Sequence, residues 1–154
     1  MKNTKSVSFL LLILSAGFMT KTQAVEMSDD LSCMTLNLYW EARSEGPEGM
    51  LAVGWVVLNR INSSKYPNTV CSVVKQGGVR PPCEWNWYCD GRQDQPQEFK
   101  ALTEAQKVAS ELLSNPSADP TGGALWFHLD SLSSPRWLQN REQSAHIGRH
   151  LFFR

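Results

Sequence analysis

Between Pro47 and Ile61 the chain is apolar on nearly every side. Met50, Val53, Val57 and Ile61 fall on one face at helical spacing, and Leu51, Trp55 and Leu58 widen that face almost all round. A helix with so little polar surface belongs at the centre of a domain, with other elements wrapped about it. Pro47 suits its first turn, and Gly54 within it permits a neighbour to approach closely.

The wrapping elements can be read on either side. Leu31, Met34, Leu38 and Ala42 form a stripe at about 100° per residue, which predicts an earlier helix. Ser28 is placed to cap it, Asp29 and Asp30 face the positive end of its dipole, and Gly46 and Pro47 stop it. Asn68 is placed to cap a short third helix running to about Lys75. Residues 76–96 read as a long loop, punctuated by Gly77, Gly78, Pro81, Pro82 and Gly91. Phe99, Leu102, Ala105, Ala109, Leu112 and Leu113 make the face of a further helix that ends near Asn115 and Pro116. After Gly122 and Gly123, two short aromatic-rich segments, Ala124–His128 and Ile147–Phe153, pair as strands. The expected fold is α+β and mainly helical, with a small C-terminal antiparallel sheet.

The N-terminus has a different character. Lys2 and Lys5 precede an uncharged apolar run from Val7 to Met19, too short to span a bilayer comfortably. Thr22 and Ala24 supply small residues at the −3 and −1 positions of a cut after Ala24. Residues 1–24 therefore read as a secretory signal peptide, and residues 25–154 as the exported domain, with no cysteine near the cut to take a lipid anchor. The whole chain has 15 Lys+Arg and 15 Asp+Glu. Removing Lys2, Lys5 and Lys21 leaves 12 cations against the 15 acids. That balance excludes a nucleic-acid binder held by phosphate contacts. Export gives the four cysteines a meaning as disulfides, and of the three possible pairings Cys33–Cys71 and Cys83–Cys89 are favoured. The cysteine spacings do not match a structural zinc knuckle.

Several residues are candidates for chemistry. Glu41 sits at the edge of the apolar stripe of the first helix. Partial desolvation there would raise its pKa toward that of a proton donor, although position alone favours a surface glutamate paired with Arg43 or a lysine. Trp85, Trp87, Tyr88, Trp126, Phe127 and Trp137 offer flat faces for sugar rings, or else patch a small core. His128, His146 and His150 raise the question of zinc. His146 and His150, if on one strand, would stand about 13 Å apart, which favours structural roles. Glu45, Glu48, Glu84 and Asp90 are available as a second carboxylate, but spacing alone places none of them opposite Glu41.

Five ordered blocks then resemble one family. The stretch from Asn37 to Arg60, which contains Tyr39-Trp-Glu-Ala-Arg43, resembles the opening of the SleB/CwlJ-type cell-wall hydrolases, best known from spore-cortex-lytic enzymes. Tyr66–Cys71 with Gln76, the Cys83–Gly91 loop, Gly123–His128 with Pro135 and Trp137, and Ile147–Phe153 are similar to its later blocks. The resemblance covers about residues 31–154. Trp40, and the run Glu84-Trp85-Asn86, depart from the residues common in the family at those places.

The resemblance implies a compact, lysozyme-like domain that cuts the peptidoglycan glycan strand, with Glu41 as general acid/base. It is similar to lytic transglycosylases, in which the sugar's own 6-hydroxyl replaces water as nucleophile. On this reading Trp87, Trp126 and Tyr39 contact sugar rings, and Gln76, Asp90 and His128 hydrogen-bond the glycan or hold the loop. No metal or organic cofactor is implied. The partner is peptidoglycan, and the protein is expected as a monomer, periplasmic or secreted, without a stable membrane anchor. The competing expectations are a zinc-dependent amidase that releases the stem peptide and a catalytically silent glycan-binding protein.

Overall fold

The structure, a computed structural model, describes residues 29–154. The expected signal peptide, the cut after Ala24 and the Ser28 cap lie outside the described residues.

Five helices come first: α1 (Asp29–Ala42), α2 (Gly46–Ile61), α3 (Val70–Val74), α4 (Asn86–Cys89) and α5 (Phe99–Ser114). A three-stranded antiparallel sheet follows, built from β1 (Trp126–Leu129), β2 (Gln143–Ile147) and β3 (His150–Phe153), in the order β1-β3-β2. A single 3-10 turn at Arg136–Leu138 lies between β1 and β2.

Helix α2 is central, as its nearly uniform apolarity requires. It packs on α1, α3, α5, β1 and β2. Met50, Ala52, Val53, Val56 and Val57 are fully buried. Gly54 has the role expected of it, since a Cβ there would fall 2.2 Å from Leu112 Cδ1 on α5. Met34, Leu38 and Ala42 of α1, and Ala105, Ala109 and Leu112 of α5, complete the core.

Some sequence expectations are corrected. Phe99 is 82% exposed, and Leu113 is also exposed. The face of α5 that meets the core centres on Ala105, Val108, Ala109 and Leu112, and at helical spacing Phe99 points well away from it. The cap of α3 is Thr69, not Asn68, and its side chain accepts from the Ser72 N–H. The long loop contains the short helix α4. The segment read as one strand from Ile147 is a hairpin corner: Ile147 ends β2, and Gly148 and Arg149 make a two-residue turn with Gly148 at φ +58°. His146 and His150 therefore sit on adjacent strands, His146 opposite Leu151 and Ile147 opposite His150.

Both favoured disulfides form. Cys33–Cys71 ties α1 to α3, and Cys83–Cys89 brackets α4.

Candidate active site

A cavity of about 730 Å³ opens where the end of α1 meets the sheet. Its walls come from four distant parts of the chain: the α1–α2 corner, the end of α2, the residues leading into α4, and the sheet with the segment 130–142.

Glu41 projects into this cavity from the last turn of α1. That turn is fixed from both sides. The buried Tyr39 hydroxyl accepts hydrogen bonds from the Gln97 and Glu98 backbone N–H groups, each at 3.1 Å. Arg43 stacks on Trp40 and forms an ion pair with Glu98 at 3.0 Å. The side chain between them thus points one way with little freedom to swing. Burial pushes the Glu41 carboxyl up to about 7, against the opposing pull of the Arg60 charge. Among the described residues, no donor hydrogen-bonds to it.

The two other carboxylates on the cavity wall are both neutralised by arginine. Glu45 accepts from the Arg149 backbone N–H at 2.9 Å and from the Arg149 guanidinium, which also donates to Ser44. Burial alone would raise the Glu45 pKa, but these hydrogen bonds and the Arg149 charge hold it below the usual carboxylate range. Gly148 is what lets the hairpin come so close, because a Cβ there would stand 2.6 Å from Glu45 Oε2. Glu84 pairs with Arg60 at 3.1 Å. Arg60 itself is buried, donates to the Leu125 carbonyl at 2.9 Å, and rests against the rings of Tyr66 and Trp85. The cavity therefore holds one carboxyl that keeps its proton to near neutral pH, beside two ion-paired ones.

Two histidines face the same space. His128 on β1 and His150 on β3 are both buried. Neither ring nitrogen of His128 has a hydrogen-bond partner, and Nδ1 of His150 also lacks one. Burial holds His150 below its ordinary pKa, against the nearby charge of Glu45, so this ring is neutral at pH 7. Among the described residues, no group of three His, Cys, Asp or Glu side chains converges as a metal-binding set.

Of the site residues expected from the sequence, the cavity gathers Glu41, Trp126 and His128. The others stand elsewhere. Tyr39 is 1% exposed and spends its hydroxyl on the start of α5. Trp87 donates to Asn37 Oδ1 at 3.0 Å, one turn before Glu41 on α1, and does not line the cavity. The Gln76 carbonyl accepts from the Glu84 backbone, and Asp90 caps its own loop through the Arg92 N–H. Trp126 is in the wall, but Arg141 stacks over its ring at 3.9 Å. Trp137, half-exposed at the cavity mouth, presents the freer aromatic surface. Arg60, Arg141 and Arg149 were not singled out from the sequence, and His150 entered there only with the question of zinc. Each joins the site through contacts with residues far away in the chain, which a linear reading cannot pair.

Residues 44–153 match the family model described as Cell Wall Hydrolase, with Glu41 just ahead of the matched span. A spore cortex-lytic enzyme of Bacillus cereus is 32% identical over 124 residues, 80% of this chain and 44% of that protein. One of Bacillus subtilis is 32% identical over 127 residues, 81% of this chain and 37% of that protein. The chain thus spans less than half the length of these curated relatives. Among solved structures, the catalytic domain of a germination-specific lytic transglycosylase, SleB from Bacillus anthracis, superposes with a TM-score of 0.66 at 28% identity, covering 85% of this chain and 98% of that one. The catalytic domain of the Bacillus cereus SleB protein gives 0.62 at 28% identity, covering 90% and 99%.

Proposed function

This chain belongs to the cell wall hydrolase family, and from that premise we propose that it cleaves the glycan strand of peptidoglycan by lytic transglycosylase chemistry. The observation that carries the reading is the contrast among the three cavity carboxyls. Glu41 is unpaired and pushed up to about 7, whereas Glu45 and Glu84 are held by arginines. One carboxyl is thereby poised to give and then take back a proton near neutral pH.

In the proposed reaction, protonated Glu41 donates to the glycosidic oxygen as the C1–O bond breaks. Positive charge develops on C1 and its ring oxygen. The 6-hydroxyl of the same muramic acid attacks C1, and the Glu41 carboxylate accepts the hydroxyl proton. A 1,6-anhydro ring and a free 4-hydroxyl result, and the enzyme returns to its starting protonation state. This route needs a single titrating carboxyl. A hydrolase that inverts through a water would need a second free carboxylate as base. In this reading His128 hydrogen-bonds a sugar substituent, and Trp126 and Trp137 bound the subsites. Export of residues 25–154 to the periplasm or the cell exterior would bring the domain to its polymer.

The test is mass spectrometry of purified peptidoglycan after digestion, with Glu41→Gln run alongside. Anhydro-muropeptides from the wild type and none from the variant are expected. Reducing-end muropeptides would make water the nucleophile, and released stem peptides would point to an amidase. A folded wild type that releases nothing would sink the enzymatic reading.

A further inference from the structure

Three arginines line the cavity, and they are not equivalent. Arg60 is paired with Glu84, and Arg149 with Glu45. Arg141 has no acidic partner among the described residues. Its guanidinium lies over the Trp126 ring at 3.9 Å and over the Trp137 ring at 5.5 Å. Its Nε is buried and makes no hydrogen bond. The backbone beneath it is fixed, since the Arg141 N–H donates to the Leu138 carbonyl at 3.0 Å at the end of the 3-10 turn.

Stacking on indoles engages the faces of a guanidinium and leaves its N–H edge free. That edge is a planar fork of donors that matches a carboxylate in a two-point contact. A buried donor with no acceptor is costly, and a bound anion would remove the cost. His128 adds a second, independent sign that a ligand completes this part of the cavity, because both of its ring nitrogens are buried without partners.

We propose that Arg141 is a specificity-determining residue that receives a carboxylate carried on the muramic acid side chain, next to the sugar bound between Trp126, Trp137 and Glu41. This inference rests on the glycan-strand reading above. The anion has two sources of the same chemistry: the free lactyl carboxylate of a muramic acid that has lost its peptide, or a carboxylate on a peptide still attached there. An uncharged glycan would leave Arg141 unsatisfied and bind more weakly.

The experiment is calorimetric titration of the full chain carrying Glu41→Gln, so that the glycan is not consumed. Three alternating glucosamine–muramic acid oligomers of equal length serve as probes: one with free lactyl carboxylates, one with those groups amidated, and one bearing stem peptides. The free-carboxylate or the peptide-bearing oligomer is expected to bind about tenfold or more tightly than the amidated one, and the tighter of the two identifies the source. In Glu41→Gln/Arg141→Met that preference should collapse to near unity, whereas Arg141→Lys should keep part of it. The comparison of oligomers on Glu41→Gln alone stands even where the methionine variant does not fold. Equal binding of all three oligomers to Glu41→Gln overturns the proposal and leaves the glycan reading intact, as does an undiminished preference in Arg141→Met. If none of the three binds and the wild type cleaves none, the glycan reading itself falls.

Discussion

Replacing Glu41 with glutamine should stabilise the folded protein, and by more the higher the pH. Glutamine keeps the size of the neutral acid and cannot ionise. In the wild type, burial raises the carboxyl from 4.5 to about 7, with Arg60 opposing only in part. Below pH 4.5 the group is protonated whether the chain is folded or not, and its burial adds no pH-dependent cost. Between 4.5 and about 7 only the unfolded chain has released the proton, so the folded state loses ground as pH rises. Above about 7 the folded protein holds a buried charge, and the loss levels off at about 3 kcal/mol. At pH 5 a smaller part of that cost, about 1 kcal/mol, is already present. Urea unfolding of the oxidised protein at pH 5 and pH 8.5, wild type against Glu41→Gln, reads the effect directly. The advantage of the variant should grow by about 2 kcal/mol between the two conditions, and the pH dependence separates it from any fixed effect of the amide. A constant difference would mean that Glu41 is not desolvated as the cavity geometry implies. A variant that loses stability at high pH would mean that attraction to Arg60 outweighs burial.

Other consequences follow from the same geometry. On the proposed mechanism, turnover should decline as pH rises through about 7, and a rate that is flat from pH 6 to 9 would remove Glu41 as the proton donor. Gly148→Ala should lower stability by about 1–3 kcal/mol in thermal unfolding, because φ is +58° and the new Cβ meets Glu45 Oε2. Gly54→Ala should be destabilising by about 1–3 kcal/mol through collision with Leu112, and less so when combined with Leu112→Ala. Serine replacement of the Cys33–Cys71 pair, separated by 38 residues, should reduce stability by about 4 kcal/mol. The Cys83–Cys89 pair, separated by 6, should matter less, at about 2 kcal/mol, and the reverse ranking in urea unfolding would contradict the loop-entropy argument.

The helical framework was readable because helix signals are local. Gly46 and Pro47 end one helix and begin the next, and the apolar surface of α2 announces its central place. Strand β2 was not readable. It is an edge strand in which exposed Gln143 and His146 alternate irregularly with half-buried residues, and a register irregularity between Gln143 and Ala145 breaks the pattern further. Glu41 stood out through resemblance rather than periodicity, since a glutamate at a helix edge looks the same whether it faces solvent or a cavity. Tyr39, Gln76, Trp87 and Asp90 lie in or beside motif blocks, yet they hold α5, the loop ahead of α4 and α1 in place rather than lining the cavity. The pairings that neutralise Glu45 and Glu84 join residues as much as 104 positions apart, and no local rule predicts them.

The clamp between Glu45 and Arg149 also has a bearing on timing. A chain emerges from the ribosome from its N-terminal end onward. Glu41 appears early, but His150, Arg149 and the strand β3 that supports β1 appear more than a hundred positions later. An incomplete chain that stops before the hairpin has Glu41 but lacks the facing wall, so it has no enclosed cleft. The cavity would therefore close only once β3 has been made.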